Sequence, residues 1–263
     1  MKKKEKQTIF YRDELNDDFA GNNIKTKEIP NDFKYLNNSW LFRVNSWLLR
    51  YLFAVPVLWL ANVFIFRVKI VNKKLLKPLK KQGYYVFSNH VLPYDPIILP
   101  ANTQVGKRMI IIAGPDLFSI SPFVSWLVKH FYAIPTPNAD ITMCENFCEC
   151  LSTNVKQGNR VLIFPEAHIW PYYNGIRNFK AASFKYPVND NAPIVVATTT
   201  FKKRKGNRKP KPIVYLDGPF YPNTSLTSRE QIKDLRERAY NAMKWRAGQD
   251  NNYAYINYVK KED

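Results

Sequence analysis

Seven short apolar runs recur along the chain between residues 66 and 218, and most of them are apolar at nearly every position. In order they are FRVKIV (66–71), YYVFS (84–88), RMIIIA (108–113), FYAIP (131–135), RVLIFP (160–165), PIVVATTT (193–200) and PIVYLDG (212–218). A strand that is buried on both faces is apolar throughout, and it does not alternate with polar residues. Helical patterns separate several of the runs. The sequence therefore predicts a single α/β domain whose central, mostly buried sheet of about seven strands is flanked by helices.

Two of the intervening segments carry clear helical patterns. Across residues 139–157, apolar side chains share one helical face and a glycine follows as a stop signal, namely Cys144, Cys148, Leu151, Val155 and Gly158. The stretch TSRE (227–230) has the spacing of a capping box, which predicts that a helix begins directly after Thr227.

The three cysteines all lie within CENFCEC (144–150). With no cysteine elsewhere the chain has no disulfide framework, which indicates a reducing compartment. Cys144 and Cys148 belong to the apolar stripe of a predicted helix, and no CxxC pair of the kind that binds zinc is present. We therefore predict no metal site.

The longest apolar segment runs from Ser46 to Phe66 and contains a single charged residue, Arg50. Its length is close to the roughly 20 residues that a membrane-spanning helix needs, although Pro56 interrupts it. Tryptophans, which favour the membrane interface, mark the segment at Trp40, Trp47 and Trp59. We predict that residues 40–66 form a helix, or a bent helical pair, that embeds in one leaflet or spans the membrane weakly. The alternative is a buried helix of a soluble core.

The formal net charge is +19, which favours an anionic partner, either nucleic acid or an anionic membrane leaflet. The apolar segment favours anionic membrane lipids over nucleic acid. Lysines flank the segment on both sides, and by the positive-inside rule this places both flanks on the cytoplasmic side. We predict a peripheral or monotopic protein at the cytoplasmic face of the membrane. It would consist of a polar lead-in (1–39), a membrane-associated helical segment (40–66) and an α/β domain (67–263).

One of the three histidines, His90, follows YYVFSN and so lies where a predicted strand ends. In open α/β sheets, ligand sites lie beyond the carboxyl ends of the strands. Asp95 comes five residues later, and Pro93 and Pro96 stiffen the path between them. A carboxylate at one imidazole nitrogen fixes the tautomer and leaves the other nitrogen free to accept a proton. Such a pair suits the deprotonation of a hydroxyl that then attacks a carbonyl carbon.

A second group of ionisable residues follows the run RVLIFP, namely Glu166, His168, Arg177 and Lys180. Two strand ends that carry such groups can face one another across a cleft at the carboxyl edge of a sheet. The third histidine, His130, lies at the end of a predicted helix, where we interpret it as structural.

In order and spacing, NHVLPYD (89–95), FPEAH (164–168), FKAASF (179–184) and APIVVA (192–197) resemble the glycerolipid acyltransferase family, which includes lysophosphatidic acid acyltransferases. The family's hallmark is an Asn-His-x4-Asp block followed by a Phe-Pro-Glu-Gly block. The resemblance covers roughly residues 84–200. It implies that His90 is the general base, that Asp95 orients it, and that transfer is direct, without an acyl-enzyme or a metal. The absence of a GxSxG nucleophile motif agrees with direct transfer.

The resemblance also implies substrate contacts from the two blocks and the segment that follows, namely Asn89, Pro165, Glu166, His168, Arg177 and Lys180. The chain departs from the family at two places. FYAIPTPN ends without the family's arginine and offers Thr136 or Asn138 instead, and AHI follows Glu166 where the family has glycine, threonine and arginine. We interpret Arg177 or Lys180 as the replacement for these phosphate-binding arginines.

The basic run FKKRKGNRKPKP (201–212) lies between two predicted strands and contains seven lysines and arginines. One interpretation is a solvated hairpin tip without a partner. We favour attachment to anionic lipid, at about 1 kcal/mol for each basic residue near the surface. The run would also attract an acidic acyl carrier protein or the phosphates of coenzyme A.

We predict an acyltransferase that moves a fatty acyl group from a thioester donor to a lysophospholipid hydroxyl, with 1-acylglycerol-3-phosphate as the expected acceptor. Acyl-CoA or acyl carrier protein would be the co-substrate, and no cofactor would be tightly bound. Two other acceptor classes stay open, a different lysolipid and a non-phosphate acceptor. Two other functions also stay open, a hydrolase that uses the same base on water and a non-enzymatic, basic membrane-binding protein.

Overall fold

The computed structural model describes residues 7–19, 21, 24–37, 39–103, 107–206, 208–249 and 251–261. Part of the predicted polar lead-in and one residue of the basic run, Asn207, therefore lie outside the described residues. The strands, in chain order, are β1 (Thr8–Tyr11), β2 (Lys69–Val71), β3 (Tyr84–Ser88), β4 (Met109–Ala113), β5 (Ala133–Pro135), β6 (Arg160–Ile163), β7 (Ile194–Lys202), β8 (Lys211–Phe220) and β9 (Asn257–Lys260). Each of the seven predicted runs contains one strand, β2 to β8, so the predicted sheet is confirmed.

The seven strands β2 to β8 form one sheet in the order β2-β8-β7-β3-β6-β4-β5. The five strands from β7 to β5 are mutually parallel, whereas β8 is antiparallel to β7 and β2 is parallel to β8. The carboxyl ends of the five parallel strands therefore lie along one edge of the sheet, which we call the carboxyl edge. The turn from β7 to β8 and the beginning of β2 lie at that same edge.

The helices are α1 (Trp40–Leu48), α2 (Val55–Ala61), α3 (Asp95–Thr103), α4 (Pro122–His130), α5 (Ile141–Lys156), α6 (Lys185–Asn189) and α7 (Ser228–Ala247). The predicted helices at 139–157 and after Thr227 are α5 and α7. The predicted capping box is present, because the Thr227 side chain accepts from the main-chain N–H of Glu230 and the Glu230 carboxylate accepts from that of Thr227.

Successive residues of β3 point to opposite faces of the sheet, and both faces are covered. Tyr85 and Phe87 pack in a core with Phe147 of α5 and Leu235 of α7. Tyr84 and Val86 belong to the core on the other face, together with Leu99 of α3. Because helices cover both faces, all five residues of β3 are buried. This accounts for the uninterrupted apolar character of the run.

The first two helices are joined without a break into one helix, Trp40–Phe66, which we call the N-terminal helix. The joining stretch Leu49–Ala54 and the last stretch Asn62–Phe66 are π-helical. The wider turn at Leu49–Ala54 ends two residues before Pro56, which has no N–H to donate into a regular helix. An 18-residue window of the N-terminal helix has a mean hydropathy of 1.9, and none of that window is buried. The alternative of a buried core helix is therefore wrong.

One side of the N-terminal helix lies against the domain through polar contacts. Arg50 Nη2 donates to the Lys107 carbonyl at 2.9 Å, and Asn62 Oδ1 accepts from the Val68 N–H at 2.9 Å. The helix exposes large apolar side chains along its whole length, namely Trp40, Leu41, Trp47, Leu48, Leu52, Phe53, Val57, Trp59, Leu60, Val63, Phe64 and Ile65. An apolar surface of this size on a soluble domain indicates contact with a membrane or a partner.

A second, two-stranded sheet joins the two ends of the chain. β1 pairs with β9 in parallel, with Thr8 opposite Asn257 and Tyr11 opposite Lys260. The sequence does not predict a strand in the lead-in, because the lead-in has no hydrophobic period. The pairing fixes residues 8–11 beside the last part of the chain.

Gly83 allows α5 to lie against the beginning of β3. A Cβ at this position would overlap the main-chain carbonyl of Val155 and lie 2.7 Å from the Val155 Cα. We therefore expect Gly83→Ala to lower the free energy of unfolding by about 3 kcal/mol, at the upper end of overpacking costs. Gly248→Ala is the control, because its Cβ would lie 3.3 Å from the Lys244 carbonyl oxygen. Thermal or urea unfolding measures both; equal midpoints for the two variants would contradict this account.

Candidate active site

The structure brings His90 and Asp95 together at the carboxyl edge, just beyond the end of β3. His90 Nδ1 lies 3.5 Å from Asp95 Oδ2, and the side chains are 14% and 5% exposed. The same carboxylate oxygen accepts hydrogen bonds from the main-chain N–H groups of Val91 and Leu92, at 2.9 and 2.8 Å. Asp95 is thus held by the turn that it closes. With Nδ1 directed to Asp95, Nε2 is the imidazole nitrogen available to a substrate.

Asn89 fixes the main chain directly before His90. Its side-chain amide donates to the Thr199 carbonyl at 3.0 Å, and its Oδ1 accepts from the Thr199 N–H at 2.8 Å. Asn89 is 1% exposed. Since its side chain makes paired bonds to β7, the structure gives Asn89 a role in holding the end of β3. Its predicted contact with substrate stays a prediction.

The loop after β6 meets the His90 loop through several contacts. The imidazole of His90 stacks on the Phe164 ring, with ring centres 4.2 Å apart. The carbonyls of His90 and Val91 accept from the N–H groups of Trp170 and Tyr172, at 3.2 and 2.9 Å. The two groups of residues that the sequence placed at neighbouring strand ends are therefore in direct contact.

Glu166 lies within the protein between the two loops. Its Oε2 accepts from the His90 N–H at 3.4 Å, and its Oε1 accepts from the Arg177 N–H at 3.1 Å. The Arg177 guanidinium lies 3.5 Å from Oε2, and both side chains are fully buried. Burial raises the pKa of Glu166 to about 7, and the charge and N–H groups of Arg177 oppose that rise.

Arg177 is enclosed by protein groups. Its Nη2 also donates to the His168 carbonyl, its Nη1 donates to the Glu14 carbonyl at 3.3 Å, and its guanidinium lies over the Trp170 ring at 4.9 Å. A guanidinium with no exposed surface is not accessible to a substrate phosphate. Arg177 therefore has no phosphate-binding role in the proposed function.

The remaining predicted site residues are more accessible. Lys180 is exposed and Pro165 is partly buried. His168 is 38% exposed, and its Nδ1 lies 3.8 Å from Asp18 of the N-terminal segment. Their predicted contacts with substrate stay predictions. His130 packs at the end of α4 against Phe42 and Trp126, as a structural residue would.

The N-terminal segment covers the loop that carries Glu166. The sequence does not predict this contact. Trp170 Nε1 donates to the Asp17 carbonyl at 2.7 Å, and the Phe19 N–H donates to the Ile169 carbonyl at 3.1 Å. The Trp170 ring also packs against Tyr11 and against Tyr258 of β9. Aromatic residues crowd both segments, but nothing in the local sequence indicates that they pack together.

The basic run forms the tip of the β7–β8 hairpin, at the same edge as His90. Phe201, at its base, packs in a small core with Val91 and Leu92. Lys209 Nζ lies 5.9 Å from the centre of the Tyr172 ring. The hairpin therefore brings a concentrated positive charge to the carboxyl edge.

An apolar groove of about 360 Å³ lies between the N-terminal helix and the domain. Phe53, Val57 and Leu58 line it on the helix side, and Pro96 and Ile97 of α3 line it on the other. Pro96 follows Asp95 in the chain, so the α3 wall of the groove begins one residue after the His90–Asp95 pair. The groove accommodates an apolar chain.

In the part of the chain that the structure describes, no group of three or more His, Cys, Asp and Glu side chains is arranged to hold a metal ion. Cys150 is buried in the core, where burial raises the pKa of its thiol to about 12.

Comparison with known proteins bears on the fold and on the family separately. The structure is similar to that of the 1-acyl-sn-glycerophosphate (LPA) acyltransferase, PlsC, from Thermotoga maritima, with a TM-score of 0.51 and 16% sequence identity. That match covers 80% of this chain and 96% of PlsC, and at this identity it shows a shared fold. No curated protein sequence matches the chain. The family model described as Acyltransferase matches residues 67–199, which is half of the chain and includes both loops of the site. The chain therefore belongs to the acyltransferase family.

Proposed function

We propose that the protein transfers a fatty acyl group from a thioester donor to the hydroxyl of a lysophospholipid, with 1-acylglycerol-3-phosphate as the first acceptor to test. His90 is the general base and Asp95 orients it. The observation that carries the proposal is the turn in which Asp95 lies near His90 Nδ1 while it accepts two main-chain N–H groups. A separation of 3.5 Å between these groups is long for a hydrogen bond, and such contacts often tighten when substrate binds.

In the proposed reaction, His90 Nε2 accepts the proton of the acceptor hydroxyl while the hydroxyl oxygen attacks the thioester carbonyl carbon. The new C–O bond forms as the C–S bond breaks, and the thiolate leaves and takes up a proton from the imidazolium. Asp95 stabilises the imidazolium by charge and by fixing the ring. The products are an ester and a thiol.

The apolar groove supports a substrate with a long apolar chain, because its lining is almost entirely apolar and includes Pro96, which follows Asp95 in the chain. Burial of such a chain contributes about 0.8 kcal/mol for each methylene. This binding free energy can hold the thioester carbonyl beside His90.

The acceptor phosphate needs a cation that is accessible to solvent. Lys180 is exposed, and the basic hairpin lies at the same edge of the sheet. In this proposal, these groups supply the positive charge that the family's two arginines would provide and that this chain lacks at those positions. Acyl-CoA or acyl carrier protein is the proposed donor, and both carry phosphates that the hairpin would attract.

We place the protein on the cytoplasmic face of the membrane, with the N-terminal helix lying in one leaflet. The helix rests side-on against the domain through Arg50 and Asn62, and its opposite side is apolar from Trp40 to Ile65. A helix that spanned the bilayer would draw its neighbours α3 and α4 into the hydrocarbon. α3 and α4, which contact the helix, also expose apolar side chains, namely Ile97, Phe123 and Trp126.

The first prediction concerns the base. We expect His90→Ala to lower kcat at least about 100-fold, because general base catalysis supplies about 10² to 10⁴ in rate. The assay measures ester formation from labelled acyl-CoA and acyl carrier protein with a panel of lysolipids. His130→Phe is the matched control, since it removes another histidine but keeps a ring against Phe42 and Trp126. Transfer that survives in a folded His90→Ala protein would exclude His90 as the base.

The second prediction concerns Glu166, which we assign as a positioning residue. Glu166→Ala leaves the buried Arg177 guanidinium without its carboxylate and the His90 N–H without an acceptor, so we expect a loss of about 3–5 kcal/mol in the free energy of unfolding. The control is Glu237→Ala. The Glu237–Arg236 pair is closer, at 2.7 Å, but Glu237 is 47% exposed, so its loss should cost about 1 kcal/mol or less. Urea unfolding compares the two, and similar costs would show that burial is not the deciding factor.

The third prediction concerns the basic hairpin. Replacing Lys203, Arg204 and Lys205 by Gln should weaken binding to anionic vesicles about 100-fold, from about 1 kcal/mol for each charge. The charge-matched control replaces Arg229, Lys233 and Lys244 of α7, which covers the sheet face opposite to the N-terminal helix. Vesicle co-sedimentation at two salt concentrations measures the effect, which added salt should diminish. Equal losses in both triple variants would indicate net charge alone and refute a hairpin contact.

A further inference from the structure

A basic pocket of about 500 Å³ lies at the beginning of the N-terminal helix, on the edge of the sheet opposite to His90. Three arginines and several aromatic rings line it, among them Arg43, Arg50, Arg108, Trp40, Trp47 and Tyr132. We call it the arginine pocket. Arg108 and Tyr132 directly precede β4 and β5, so the pocket lies at the amino ends of the parallel strands. The chemistry proposed for the carboxyl edge does not use it.

Two of the guanidinium groups share one aromatic ring. The Cζ atoms of Arg50 and Arg108 lie 5.9 and 5.1 Å from the centre of the Tyr132 ring. Tyr132 has a φ of 63°, in the left-handed region that a bulky side chain rarely adopts. Such strain persists only where surrounding contacts hold it, and it often marks a binding site. Here the residue in this conformation is the one whose ring both guanidinium groups approach.

The charge of the pocket is not balanced by protein carboxylates. The lining contains no aspartate or glutamate. Among the ion pairs within 4.0 Å in the described ranges, none includes Arg43, Arg50 or Arg108. Guanidinium groups that lie close together without an anion repel one another, and this repulsion favours binding of an anion.

A buried arginine adds to the imbalance. Arg160 is 2% exposed, and its Nε and Nη1 atoms have no hydrogen-bond partner. Burial lowers the pKa of Arg160, Tyr84 opposes that shift, and the charge of Arg50 lowers the pKa further. Arg160 therefore adds a fourth positive charge, which lies inside the protein and repels Arg50 in the pocket lining.

We propose that the arginine pocket binds the phosphate of an anionic membrane phospholipid, at a site separate from the His90–Asp95 pair. Guanidinium groups bind phosphate oxygens through paired N–H donors. The surroundings favour a lipid phosphate, because Trp40 and Trp47 are 73% and 55% exposed and indole rings favour the membrane interface. Arg50 also lines the apolar groove, so apolar surface adjoins the pocket. The inference rests on the proposed membrane association and not on the proposed reaction.

The test compares the double variant Arg43→Gln/Arg108→Gln with the charge-matched control Arg229→Gln/Lys233→Gln on α7. Sucrose-loaded vesicles of phosphatidylcholine, with and without phosphatidylglycerol, measure binding to the full-length protein. Native mass spectrometry of the detergent-extracted protein measures phospholipid that stays bound. Inorganic phosphate serves as the probe for a free-anion site, and circular dichroism checks that each variant is folded.

We expect the double variant to lose at least about tenfold in binding to phosphatidylglycerol vesicles and to lose its bound phospholipid. The control should stay within about twofold, and Arg43→Lys/Arg108→Lys should recover part of the binding. Equal retention of lipid by the double variant and the wild type would overturn the proposal. So would inorganic phosphate that displaces the bound lipid and binds the extracted protein as tightly as phosphatidylglycerol does, because the pocket would then be a free-anion site. If no variant, and not even the wild type, binds any vesicle, the proposed membrane association itself fails, and this inference fails with it.

Discussion

The loop that carries His90 and the loop after β6 are held together by a carboxylate that water does not reach. Glu166 accepts hydrogen bonds from N–H groups of both loops. When it is ionised, its negative charge is paired with the guanidinium of Arg177, which is equally buried. Burial of ionised groups costs several kcal/mol each, and an ion pair recovers this only when its other polar atoms are bonded. The site therefore depends on the cover over this pair. That cover consists of Trp170 and the segment around Glu14 and Asp17, neither of which approaches a substrate in the proposed reaction.

The sequence predicted those parts of the fold whose signal is local. The strands β3, β5 and β6 are buried over consecutive residues because the sheet is covered on both faces, and the start of α7 is encoded within TSRE. The approach of Asp95 to His90 was foreseen because only five residues and two prolines separate them. The partners of Asn89 and Arg177 were not foreseen, because Thr199 and Glu14 lie 110 and 163 residues away. β1 and β9 were missed because short, largely exposed strands have no apolar period to detect.

The positive charge of the chain is distributed to both ends of the N-terminal helix. Arg43, Arg50 and Arg108 surround its beginning, and the β7–β8 hairpin lies at the edge of the sheet where β2 emerges from its end. Between these two ends the exposed side is apolar. This distribution suits a helix parallel to a membrane surface, with anionic head groups at both ends, better than a helix whose ends lie in different leaflets.

The pairing of β1 with β9 has a consequence for the order in which the protein matures. Residues 8–11 are synthesised before the α/β domain, whereas their partner Asn257–Lys260 is synthesised after it. Until β9 has been synthesised, β1 has no partner strand. It therefore does not yet hold the following segment, Glu14 to Phe19, over the Glu166 loop. The apolar side of the N-terminal helix emerges long before this and can reach the bilayer at once. If the proposed membrane association holds, the chain reaches the bilayer before its site is enclosed, because the enclosure requires Asn257–Lys260.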